Sequence, residues 1–147
     1  MEHAVNQKWF FRQSPQEVWN YLTKPELLAE WLMDNDFKPV VGHKFQFRNN
    51  SEMDCKNLGI AYCEVLEIIP LKRLSYSWKG EEGNGEISID SVVVWTLTEK
   101  DGGTELQLEH KGFQLPEDFH AHSDGWNRIL NRFTQLLNTD NNANTNA

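Results

Sequence analysis

Apolar side chains along this 147-residue chain change their spacing three times, from alternating to helical, back to alternating and finally to helical. Residues 4–12 place Val5, Trp9 and Phe11 on one face of a strand and Phe10 on the other. Ser14-Pro15-Gln16-Glu17 then carries the signals of a helix start: a hydroxyl acceptor, a proline where no N–H is needed, and a carboxylate able to reach back. Val18, Trp19, Tyr21 and Leu22 give that short helix its apolar positions. Thr23-Lys24-Pro25-Glu26 repeats the pattern, so a second short helix is expected from Pro25, with Leu27, Leu28, Trp31 and Leu32 as its stripe.

From Gly42 the spacing alternates. His43, Phe45 and Phe47 share one side of a strand, followed after a polar loop by residues 59–69, which end at Pro70. Leu74, Tyr76 and Trp78 alternate in the next strand, and the glycine-rich residues 79–86 form a turn. Ile87, Ile89, Val93, Trp95 and Leu97 share a phase in a long strand. Asp101-Gly102-Gly103 is a hairpin signal, and behind it Thr104, Leu106, Leu108 and His110 alternate with Glu105, Gln107 and Glu109. The polar phase faces water, so the phase containing His110 faces inward. Helical spacing returns in Trp126, Ile129, Leu130, Phe133, Leu136 and Leu137, and Phe119 and His122 extend that stripe back toward Asp118.

A strand, two short helices, about five consecutive strands and one long helix make an α+β protein with an antiparallel sheet of about six strands. The terminal helix is the element large enough to cover the sheet's dry face. Residues 1–138 read as one domain. Residues 139–147 belong to an Asn-rich stretch without large apolar side chains, expected to be a disordered tail.

Composition narrows the function. Six Trp and eight Phe are enough for a packed core. With 14 Lys and Arg against 22 Asp and Glu, the net charge is −8, which lacks the basic footprint that nucleic acid requires. No apolar run approaches the ~20 residues that span a bilayer, and the N-terminus lacks the build of a signal peptide, so a cytoplasmic location is expected. Cys55 and Cys63 are too few for a disulfide framework or a four-ligand zinc site, and neither has an activating neighbour in sequence.

The stretches SPQEVWNYLTKPELLAEWL, GHKFQFR, GIAYCEVLEIIPLKRLSYSW, WTLTEKDGGTELQLEHKGF and GWNRILNRFTQLL, in that order, resemble the Hsp90-ATPase-activator-homologue-like (AHSA1-like) branch of the START/Bet v 1-like (SRPBCC) superfamily. The resemblance covers roughly residues 5–138. It implies a helix-grip fold, a curved antiparallel sheet wrapped on the C-terminal helix with an apolar cavity between them. Activities differ widely across the superfamily, from lipid, sterol and polyketide binders to cyclases and stimulators of the Hsp90 ATPase, so fold assigns no reaction.

The candidate ligand-binding residues are therefore the aromatics Trp31, Phe45, Phe47, Tyr62, Tyr76, Trp78, Trp95, Trp126 and Phe133, with His110 and His122. Rigid rings on a curved sheet opposite a helix could line a pocket for a lipid-like, aromatic or polyketide-like molecule, or could simply fill the core. His110, Tyr76 and Tyr62 are the polar handles expected to orient a ligand; the phase of Tyr62 stays open because Ala61, Cys63 and Val65 are equally apolar. His120, His122 and Asp124 tempt a metal reading, but His120 and Asp124 alone share a helix face, so no metal or other cofactor is expected. Binding of a small hydrophobic molecule without catalysis is the leading expectation. A chaperone partner, or a cyclase or hydrolase using His110, are the alternatives. A monomer or weak homodimer is expected.

Overall fold

The computed structural model describes residues 3–48, 61–81, 87–113 and 116–145. Strand β1 (His3–Phe11) leads into helices α1 (Pro15–Thr23) and α2 (Pro25–Trp31). Strands β2 (Asp34–Asn35), β3 (Lys44–Arg48), β4 (Ala61–Ile69), β5 (Arg73–Glu81), β6 (Ile87–Lys100) and β7 (Gly103–Phe113) follow, and helix α3 (Pro116–Thr145) ends the chain. The strands form one antiparallel sheet in the order β1-β7-β6-β5-β4-β3-β2. Every neighbour from β2 to β7 is also a neighbour in sequence, and β1 closes the far edge on β7. The architecture is the expected α+β helix grip, with α3 packed against the sheet's dry face.

Local chemistry explains the ends of the elements. Ser14 caps α1, its Oγ accepting the Glu17 N–H at 3.3 Å while its hydroxyl lies 3.3 Å from the Glu17 carboxylate. Ser14→Ala is expected to cost about 1 kcal/mol, read as a lower urea midpoint at unchanged slope. The second expected cap does not form. Lys24 occupies the N-cap of α2 without a side-chain hydrogen bond, because the Thr23 hydroxyl donates instead to the Trp19 carbonyl at 2.8 Å. Pro25 alone sets the new helix axis. At the β6–β7 hairpin, Asp101 (φ 50°) and Gly102 (φ 78°) take the left-handed backbone that the Asp-Gly pair supplies.

Two expectations change, and one open question closes. The sheet has seven strands, not about six, because β2 pairs Asp34 with Arg48 and Asn35 with Phe47. Side-chain bonds hold it there: Asn35 Nδ2 donates to the carbonyls of Pro25 and Met33, and Asn35 Oδ1 accepts the Phe37 N–H. Two residues are too few to show alternation. Helix α3 is continuous to Thr145 and so runs through most of the stretch expected to be a tail. Its backbone ladder extends from a packed stripe and meets neither Gly nor Pro to stop it. The phase of β4 is settled: Ala61, Cys63 and Val65 face the core, so Tyr62 and Glu64 face the other side. Cys55 and the turn at residues 82–86 lie outside the described residues.

Candidate functional site

Alternation along β3 to β7 aims one phase of every strand at α3. Phe45, Phe47, Tyr76, Trp78, Trp95, Leu106, Leu108 and His110 are buried on that face, and Trp126, Ile129, Leu130, Phe133 and Leu137 of α3 are buried against it. The two short helices add Trp19, Leu22, Leu28 and Trp31.

The rings form one connected cluster. Trp31 stacks on Phe133 with centroids 4.2 Å apart and 13° between planes, and meets Trp95 edge-on at 5.9 Å. Trp95 meets Trp126 edge-on at 5.5 Å, and Trp126 lies 5.7 Å from Trp78. Trp78 continues one way through Phe47 (5.5 Å) to Tyr76 and Phe45. The other way it reaches His110 at 5.4 Å and His122 at 6.3 Å. Ten of the eleven residues singled out from sequence therefore meet in one interior. Tyr62 is the exception, on the outer face of β4.

Polar atoms inside this cluster are paired with protein groups. Trp126 Nε1–H donates to His110 Nδ1 at 2.9 Å, which leaves the ring proton on Nε2 of a neutral imidazole. That Nε2–H points at Ser91 Oγ, 2.7 Å away, and the Ser91 hydroxyl donates to the Trp78 carbonyl at 2.8 Å. The relay joins α3, β7, β6 and β5 without a spare donor in between. Burial pushes the His110 pKa well below the ordinary imidazole range, and neighbouring His122 pushes it the same way. Nearby, Trp95 Nε1–H donates to Tyr76 Oη at 2.8 Å, and burial drives the Tyr76 phenol well above its usual pKa. Burial, with Asp36 adding to it, also raises the Cys63 thiol, an inert form of cysteine. Among the described residues, no cluster of three or more His, Cys, Asp or Glu side chains could hold a metal ion.

Sequence reasoning missed two members of the site. Ser91 is buried in the same phase as Val93, and a lone hydroxyl there is the signal for a partner of His110. Phe113 lies 4.5 Å from the His110 ring and 4.8 Å from His122, although strict alternation from His110 would turn it outward. Gly112, with φ 109°, breaks the phase. A Cβ there would meet Asp90 O and Ser91 Cα at 3.1 Å each.

Comparison with known proteins gives the same fold. The family described as Activator of Hsp90 ATPase homolog 1-like protein matches residues 12–138. The crystal structure of the protein MLL2253 from Mesorhizobium loti is 34% identical, covering 93% of this chain and 98% of that one, with a TM-score of 0.81. CalU16 from Micromonospora echinospora is 24% identical over 92% of this chain and 75% of its own, with a TM-score of 0.71. The Aha1 dimer from Colwellia psychrerythraea is 22% identical over 92% and 96% of the two chains, with a TM-score of 0.73. Among curated proteins, none matches.

Proposed function

Since the chain belongs to the Activator of Hsp90 ATPase homolog 1-like family, whose members need share no chemistry, we propose from its own interior that it binds a small, flat, apolar molecule between sheet and α3. The observation that carries this reading is the convergence of Trp78, His110, Phe113, His122 and Trp126 at one end of the ring cluster. An aromatic ligand inserted there exchanges ring–ring contacts for ring–ligand contacts of the same kind, each contributing about 0.5–1.5 kcal/mol beyond the area buried. An aliphatic chain lacks that compensation, so flat aromatics are preferred over fatty acids. The paired state of His110 supports binding over acid–base catalysis: its Nδ1 lone pair and Nε2 proton are both engaged by the protein. The proposed place of action is the cytoplasm.

A panel of naphthols, flavone-like phenols and fatty acids tests the proposal by thermal melting. A flat aromatic held at a hundredfold excess over its Kd should raise the melting temperature by about 5–10 °C and quench tryptophan emission to a plateau. Melting temperatures indifferent to the whole panel would overturn it.

The family match favours one further reading, stimulation of an Hsp90-type ATPase. An acidic surface could complement a basic patch on such a partner. An ATPase rate left unchanged by excess protein would remove this reading and leave ligand binding untouched.

A further inference from the structure

The outer face of the sheet carries a groove of about 410 Å³, separated from the ring cluster by the sheet itself. It lies where β4 and β5 part company. The two strands pair at Tyr62–Lys79 and again at Val65–Tyr76, but the ladder skips Cys63 and Glu64 between them. There the Glu64 N–H donates to the Ser77 hydroxyl at 3.0 Å in place of a backbone carbonyl. Phe45 and Cys63 border the groove from beneath, while their side chains stay buried on the inner face.

Charge on the walls is mixed and uncommitted. Lys44 lies opposite Glu64 across β3–β4, and Lys79 lies opposite Tyr62 across β4–β5, so both lysines and Glu64 line the same outer groove on three adjacent strands. Among the described residues neither lysine has a carboxylate oxygen within 4.0 Å, and Glu64 has no cation within that reach. Asp36, also on the wall, uses Oδ1 to accept the Gln46 N–H at 2.8 Å.

We propose that this groove binds a small zwitterion with an apolar body, of the aromatic amino acid class. The carboxylate sits between Lys44 and Lys79, the ammonium group meets Glu64, and the ring lies against Tyr62, the outer-phase aromatic of the groove lining. Charge-assisted hydrogen bonds to both charged groups fix its orientation. The volume falls in the range of small-molecule sites. The inference is independent of the interior ligand proposed above, since the two sites lie on opposite faces of one sheet.

The test is an NMR titration of the whole protein with L-phenylalanine, and with 3-phenylpropionate, which lacks the ammonium group. L-Phenylalanine should move the amides of residues 62–64 and 77–79 saturably at up to about 10 mM. Lys79→Gln and Glu64→Gln should each weaken it about tenfold, while 3-phenylpropionate should bind more weakly and ignore Glu64→Gln. Both side chains face away from the core, and unchanged amide positions elsewhere confirm folding of the variants. Absence of saturable shifts at these amides, shifts confined to interior residues such as Trp126, or an affinity unchanged in both variants would overturn the proposal.

Discussion

Trp31→Ala is expected to destabilise the protein by about 4 kcal/mol, the middle of the range for emptying a buried aromatic site. The side chain is fully buried, stacks on Phe133 of α3, meets Trp95 of β6 edge-on, and donates its Nε1–H to the Tyr21 carbonyl at 3.0 Å. It thereby ties α2 to the end of α1, to the sheet and to the long helix together. Alanine removes all three contacts and leaves a void that rings cannot close over, because neighbouring side chains already sit in each other's contact shells. Trp31→Phe keeps an aromatic face toward Phe133 and should cost about 1–2 kcal/mol. Urea unfolding reads both as a lowered midpoint at unchanged slope. A loss under about 1 kcal/mol for the alanine variant would mean that α2 contributes little to the core.

Acid should weaken the fold well before the carboxylates titrate. His110 is buried neutral, and its folded pKa is depressed below 6.5, first by desolvation and then by His122. The unfolded chain therefore binds a proton that the folded chain refuses. The stability associated with the neutral ring is fully present above pH 6.5 and is lost as pH falls from there toward the folded pKa. In that window the loss from this one group has a limiting slope of ~1.4 kcal/mol per pH unit. His110→Phe is less stable throughout, because Trp126 Nε1–H loses its acceptor, yet its stability should depend less steeply on pH in that window. Equal slopes in the two proteins would show that His110 is protonated in the folded state, contrary to a relay in which Nδ1 accepts.

How much of this was legible in sequence depended on whether period alone decided the matter. Strand β7 was fully readable up to His110, since a polar phase of Glu105, Gln107 and Glu109 left no doubt about the buried one. Strand β4 was not: Ala61-Tyr62-Cys63-Glu64-Val65 is apolar enough in either phase, and its pairing with β3 and β5 decides that Tyr62 faces away from the rings. Phe113 escaped because a positive φ at Gly112 resets the phase, an event alternation cannot anticipate. The relay through Ser91 escaped because its partners lie 13 and 19 residues away on neighbouring strands. The position of β2 rested on Asn35 side-chain bonds that span two to ten residues and follow no period.

The sharpest test follows magnetisation from a bound aromatic ligand to its neighbours. With a naphthol held at saturation, intermolecular nuclear Overhauser effects should run from ligand protons to the Trp126 indole N–H and to the rings of Trp78 and Phe113. Effects reaching only outer-face groups such as Tyr62, or none from a ligand shown to be bound, would contradict an interior site.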